Sequence, residues 1–541
     1  MSTVSKFLID RLSSSGVKHV FGIPGDYVVD FYSDMWKSKE IDVVNTTDEA
    51  HAGFAADAYA RMNGIGAVCV TYSVGAFKLT NTVACAYAER SPLVIISGAP
   101  GMEERKEDVL LHHMVGSFNS QIDMFKNITC ASEVLDDPST AGFKIDSALE
   151  ALRHYKRPIY LELPRDVAKK SISYDVYNLG TPTSPETDEE NLQEAVDEVV
   201  DWINKSEKPA ILAGVELGRY DFGEDLIAFA EKSNIPVATT LLSKSTVKEE
   251  HPLFAGIYSG AASIEETRKI IEDSDCLILL GVMLTDLTLC FKPSKFDKRQ
   301  IVSCNLEGLR VKNHTFKNVQ FADFCDSLFS SCVSKKDVPI LPEPIERNYV
   351  SQGDVAITTD RVFEKINSVL EKNMAIIADV GDSMFGAGDL VVHHKNNFLS
   401  PAFYTSMGFA IPGALGASCA TDDRQIVILG DGAFQMSFSE ISTILEKGFN
   451  PIVFLLNNGG FSTERVNKDG DYNNLRNWEY HNFPEIFGGG KGFLVKTEKD
   501  LDDAWDFALK SKELCLLNIQ LDSKDVSKGF NRMMEARKNN G

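Results

Sequence analysis

Short apolar, β-branched runs alternate with helix-period segments along almost the whole chain. IDVVNTT runs into DEAHAGFAADAYARM, and AVCVTYS, PLVIISGAP, PAILAGV, CLILLGVML, AIIADVG, QIVILGDG and PIVFLLNNGG follow the same grammar. Near-continuous apolar strands that end in Gly or Asp are what strands buried on both faces of a parallel sheet look like. Their alternation with helices predicts an α/β fold of doubly wound parallel sheets.

Two shifts in composition divide that pattern. Tyr177–Glu190 is rich in Pro, Thr, Ser and acid, and Asp337–Arg347 holds three prolines in eleven residues. Both read as exposed linkers. They predict three domains, 1–180, 190–340 and 350–541, which suits 541 residues at ~150 residues per domain. No short-period repeat points to a solenoid or propeller.

Charge and cysteine content then narrow the function classes. The 55 Lys+Arg against 78 Asp+Glu give a net charge of −23, which disfavours nucleic acid and anionic membrane surfaces as partners. The ten cysteines include no C-x-x-C and are too sparse for a disulfide framework. No stretch reaches the ~20 apolar residues of a membrane span. MSTVSKFLIDRL is amphipathic from the start, without a basic stretch and apolar leader. The expectation is a cytoplasmic protein.

The sharpest chemical signal lies near the C-terminal end. Gly430-Asp431-Gly432 follows the apolar run QIVIL, and Asn457-Asn458-Gly459-Gly460 follows PIVFLL. Asp431 is thus expected at the C-terminal end of a strand, where open α/β sheets bind ligands. An Asp, an Asn amide oxygen and a backbone carbonyl form an all-oxygen set suited to Mg²⁺ on a diphosphate. Either motif alone also reads as an ordinary turn. Together, 24 residues apart, they are far more specific.

That combination resembles the diphosphate-binding motif of thiamine-diphosphate enzymes, and the resemblance extends over the whole chain, including the domain order. It implies pyrimidine-binding, middle and diphosphate-binding domains, with thiamine diphosphate and Mg²⁺ as cofactors. By the same resemblance Asp431, Asn458 and Gly460 hold the metal, with Gly430, Gly432 and Ala433 beside the diphosphate. Gly381-Asp382-Ser383 matches the segment that helps bind the diphosphate and pyrimidine, although Asp379 and Val380 depart from the Glu-Thr common there. Met407 matches the apolar wedge between the two cofactor rings; a methionine is otherwise core filler.

Glu49, at a strand–helix junction, complements a helix dipole on its own merits. In the family the matching residue hydrogen-bonds N1′ of the pyrimidine, and the cofactor then acts as its own base. His112-His113 would by default be a surface pair. With Asp26 and Glu464 it matches the proton-handling set of pyruvate and indolepyruvate decarboxylases, a pair that acetohydroxyacid synthases lack. His393-His394 carries no such company and is given no role. Asp26 and Glu464 are expected to lie buried side by side, raising at least one pKa.

The implied activity is non-oxidative decarboxylation of 2-oxo acids to aldehydes. The carried-over substrate positions are Met384, Phe385, Thr463 and Asn467. The flexible Met and small Thr suggest substrates larger than pyruvate; a strict pyruvate decarboxylase and an acetohydroxyacid synthase-type carboligase are the alternatives. Glu216 stands where substrate-activated yeast-type enzymes carry a cysteine, so activation through that thiol is not expected. Phe530, Met533 and Met534 in the C-terminal GFNRMMEARK either face the site or pack in the core. Since the two halves of the site fall on different domains, the active site is expected between chains, in a dimer and by family a tetramer.

Overall fold

The computed structural model describes residues 2–106, 109–172, 183–292, 296–337 and 340–538. Residues 177–182 and 338–339 of the expected linkers lie outside the described residues.

The chain forms three sheets, each flanked by helices. The first contains β1 His19–Gly22, β2 Asp42–Asn45, β3 Gly66–Val70, β4 Leu93–Ala99, β5 Ala131–Val134 and β6 Ile159–Pro164. Its order is β2-β1-β3-β4-β6-β5, parallel throughout. Every residue of β3, β4 and β6 is buried, as their unbroken apolar character requires.

The second sheet contains β7 Pro209–Ala213, β8 Val237–Thr240, β9 Phe254–Tyr258, β10 Cys276–Leu280, β11 Ile301–Asn305, β12 Gly308–Val311 and β13 His314–Phe316, in the order β13-β12-β11-β10-β7-β8-β9. Here the expectation of a purely parallel sheet needs correction. β11, β12 and β13 form an antiparallel edge. Leu306-Glu307 and Lys312-Asn313 are two-residue connections, too short for a parallel crossover. Lys312 takes the left-handed backbone that the second turn needs, at φ 54°.

The third sheet contains β14 Met374–Ala378, β15 Phe398–Leu399, β16 Arg424–Gly430, β17 Ile452–Asn457, β18 Lys491–Val495 and β19 Cys515–Gln520, all parallel, in the order β15-β14-β16-β17-β19-β18. The first and third sheets therefore share one topology. In each, the direction of winding reverses between the first and third strands, β1 and β3 or β14 and β16. Ligands of open α/β sheets bind at such a switch point, at the carboxyl ends of the strands.

The first and third domains pack through equivalent helices. Glu49–Asn63 follows β2, and Ala410–Ala420 follows β15. The second of these, AIPGALGASCA, is almost wholly apolar and correspondingly buried. Close approach of the pair requires Gly416, where a Cβ would fall 1.9 Å from the Ala55 carbonyl oxygen. Among the described residues no helix is long and apolar enough to cross a membrane, and all ten cysteines are free thiols.

Candidate active site

The third sheet presents one half of the site at its switch point. β16 ends at Gly430, and Asp431 opens the next helix with only 1% of its surface exposed. Its Oδ1 accepts the Gly432 N–H at 2.9 Å, while Oδ2 is buried without a hydrogen-bond partner among the described residues. Burial pushes this carboxyl up to about 6. A buried, unpartnered carboxylate oxygen is costly, and a bound cation removes that cost.

β17 ends at Asn457, and the Asn458 amide oxygen accepts the Gly460 N–H at 3.3 Å. Arg465 braces this turn by donating to the carbonyls of Asn458, at 3.1 Å, and Gly459, at 2.8 Å. Gly460 is irreplaceable on two counts: its φ is 157°, and a Cβ would lie 2.1 Å from the Asn473 carbonyl oxygen. Gly381, Asp382, Ser383, Met407, Gly430, Asp431, Gly432, Ala433, Asn458, Gly460, Thr463 and Glu464 all line one cavity of about 80 Å³. The oxygen-rich set and the glycine-lined approach fit a divalent cation and a diphosphate.

Asp379, the departure noted in the sequence, proves to be structural. Wholly buried, it accepts the N–H groups of Val380, Gly408 and Ala410. It thereby fixes the turn carrying Met407 and the start of the Ala410–Ala420 helix. Asp382 is also engaged: its carboxylate accepts the Ser527 N–H and hydroxyl, tying this loop to the C-terminal segment.

The first sheet carries the other half. Asp26, in the loop after β1, lies 2.7 Å from His112 Nε2. The Tyr27 hydroxyl reaches His112 Nδ1 at 3.2 Å, and the two rings stack at 4.7 Å. The Tyr27 hydroxyl also donates to the His112 carbonyl oxygen at 3.2 Å, so it touches both the ring and the backbone of this residue. His113 stands edge-on to His112 at 4.8 Å, with left-handed backbone at φ 67° and a buried Nδ1 that has no partner among the described residues. Such strain on a non-glycine residue clusters at functional sites.

Glu49 opens its helix directly after the Asp48 cap, and its Oε2 accepts from Lys78 Nζ at 2.8 Å. Asp48 and Glu49 together hold the Lys78 ammonium above the usual lysine range. The junction is pinned from the third domain by buried Glu440, which accepts from the Thr47 N–H and hydroxyl and lies 2.9 Å from His51 Nδ1.

Within one chain the two halves do not share this cavity. None of Asp26, Glu49, His112 and His113 lines the Asp431 cavity. Within one chain Asp26 and Glu464 lie on different halves and are not paired. Asp26 keeps 47% of its side chain exposed, and Glu464 is exposed on the rim of the other half.

The four substrate positions also separate. Thr463 lines the Asp431 cavity, whereas Met384 and Phe385 face a different one. The Asn467 side chain is exposed, where its amide donates to the Thr463 carbonyl and accepts from Arg537 at 2.8 Å. Phe530, Met533 and Met534 pack in a small core with Cys290. Glu216 accepts from Arg90 Nε and the Leu306 N–H, both at 2.8 Å, and so joins the first and second domains. Tyr27, Lys78 and Glu440 escape a reading of the sequence because their partners are brought to them only by the fold. Asp379 was visible as a polar residue ending an apolar run.

Comparison with known proteins agrees along the chain. Residues 2–124 match the N-terminal TPP binding domain of thiamine pyrophosphate enzymes, 196–327 the central domain and 379–519 the C-terminal TPP binding domain. A probable pyruvate decarboxylase of Schizosaccharomyces pombe is 32% identical over 97% of this chain and 94% of its own length. An indole-3-pyruvate decarboxylase of Azospirillum brasilense is 31% identical, covering 94% and 93%. An alpha-keto-acid decarboxylase of Mycobacterium bovis is 31% identical, covering 95% and 93%.

Proposed function

The chain belongs to the thiamine-diphosphate-dependent 2-oxo acid decarboxylases, and from that premise we propose that it converts branched-chain or aromatic 2-oxo acids to aldehydes and CO₂, with Mg²⁺ as the metal. Asp431, Asn458 and the Gly460 carbonyl would hold Mg²⁺, and the cavity's glycines would admit the diphosphate. Glu49 would orient the pyrimidine, with Met407 between the rings. When bound, thiamine diphosphate supplies the electron sink that lets the carboxylate leave as CO₂.

The chain's own side chains then handle protons. His112 Nε2, held by Asp26 at 2.7 Å, would exchange a proton with the reacting carbon or oxygen. Tyr27, stacked on the ring and bonded to the His112 carbonyl, would hold the imidazole in that position. Glu464 would work from the opposite half, which requires a second copy of the chain to supply one half of each site. The reading is therefore of a dimer at least, and by family a tetramer. The observation that carries it is Asp431 Oδ2, buried at the switch point without a hydrogen-bond partner among the described residues, where a metal–diphosphate group would satisfy it.

Aldehyde release from pyruvate, 3-methyl-2-oxobutanoate, 4-methyl-2-oxopentanoate, phenylpyruvate and indolepyruvate tests the reading. With added cofactor and Mg²⁺ the larger acids should yield aldehyde, and Glu49→Gln should lose at least ~100-fold. Aldehyde from pyruvate alone would refute the substrate range. Acetoin or acetohydroxyacid with little aldehyde would favour the carboligase.

A further inference from the structure

Asp48 and Glu49 are neighbours in sequence, and the cation that meets both comes from a separate element. Lys78 lies in the short 3₁₀ turn Ala76–Leu79, ahead of the helix Thr80–Ala88. Ala76 and Leu79 are buried in the same core as Ala52 and Ala55 of the Glu49–Asn63 helix. Their packing brings the intervening Lys78 to the start of that helix.

There its ammonium bridges two carboxylates. It donates to Asp48 Oδ2 and, at 2.8 Å, to Glu49 Oε2. Asp48 is itself fixed, because its Oδ1 caps the helix by accepting the Ala50 N–H at 2.8 Å. One oxygen of Glu49 is therefore held by a cation whose second partner is anchored to the backbone. Its Oε1 accepts no hydrogen bond among the described residues. A carboxylate oxygen keeps that capacity when its twin is occupied.

Stability does not account for the arrangement. The Lys78 side chain is 48% exposed, and an ion pair so open to water contributes little to folding. What the ammonium supplies is orientation. Without it the Glu49 carboxylate would stand beside the like charge of Asp48 and be free to turn. An acceptor already aimed loses less freedom on binding than one that must first be ordered.

We propose that Lys78 is a positioning residue for Glu49, holding Oε2 so that Oε1 is the acceptor for the pyrimidine of thiamine diphosphate. This rests on the role given to Glu49 above and adds the residue that aims it.

Calorimetric titration of thiamine diphosphate, with Mg²⁺, into the full chain freed of cofactor tests the assignment. The proteins compared are the wild type, Lys78→Met, Lys78→Arg, Glu49→Gln and the double variant Lys78→Met/Glu49→Gln. Lys78→Met should weaken cofactor binding about 10-fold, the size of one charge-assisted hydrogen bond, and Lys78→Arg should restore most of that loss. In the Glu49→Gln background the Lys78→Met change should cost less than about 2-fold, because a residue that acts only through Glu49 then has nothing to aim. Both single Lys78 variants should keep the wild-type unfolding midpoint. Wild-type affinity in Lys78→Met, an equal loss in both backgrounds, or no recovery with arginine would overturn the proposal. Cofactor binding by Glu49→Gln as tight as that of the wild type would instead overturn the role of Glu49 itself, and the proposal with it.

Discussion

Asp379, Asp382 and Asp431, at the carboxyl edge of the third sheet, are buried deeply enough that each carboxyl is pushed up to about 6. Their surroundings differ. Asp379 is met by three N–H groups, Asp382 by Ser527, and Asp431 keeps an oxygen without a partner among the described residues. Asp382 allows a direct test, because Asn is isosteric and can exchange hydrogen bonds with the Ser527 hydroxyl. A carboxyl near 6 when folded and near the ordinary 3.8 when unfolded holds its proton better in the folded chain. It therefore adds stability that is fully present below about pH 4 and is lost as the pH rises through about 6. The gap amounts to about 3 kcal/mol. Denaturant unfolding between about pH 4 and pH 7 should show the wild type losing that much relative to Asp382→Asn; parallel curves would contradict the burial argument. At this scale the sequence was informative where chemistry and spacing coincide, as in Gly430-Asp431-Gly432 and Asn458. It was silent on Tyr27 and Lys78, whose roles exist only through His112 and Glu49.

Elements meet through buried polar joints as well as apolar faces. Arg61, on the Glu49–Asn63 helix, pairs with Asp57 at 2.8 Å and Glu89 at 2.7 Å, all three buried. Glu89 also accepts the N–H groups of Phe403 and Tyr404, each at 2.8 Å, on the segment leading to Met407. Glu89→Ala would leave the buried Arg61 guanidinium to Asp57 and Ser400 alone and two N–H donors without an acceptor, so a loss of about 3 kcal/mol is expected by denaturant unfolding. A loss below about 1 kcal/mol would mean that water replaces the carboxylate, contrary to its complete burial. Central strands such as β3, β4, β7, β10, β14 and β17 were readable from sequence because burial on both faces makes them apolar throughout. The β12–β13 edge was not, since strands of four and three residues with a half-exposed face carry too little pattern.

At the scale of the molecule, the first and third sheets repeat one strand order, and each offers chemistry at its own switch point. The Asp431 cavity belongs to the third domain; Glu49 and the Asp26–His112–His113 cluster belong to the first. Three domains could be inferred from the linkers and the apolar grammar. That the halves stay apart within one chain could not, because no spacing along a sequence reports where two domains face each other. The central claim is that two copies complete each site. In a symmetric dimer, coexpressed Glu49→Gln and Asp431→Asn chains would form heterodimers with one intact site and one doubly altered site. Each variant alone should be nearly inactive, while the coexpressed mixture should recover about a quarter of the wild-type rate of aldehyde release. Recovery no greater than that of either variant alone, with both chains folded and assembled, would contradict the shared site.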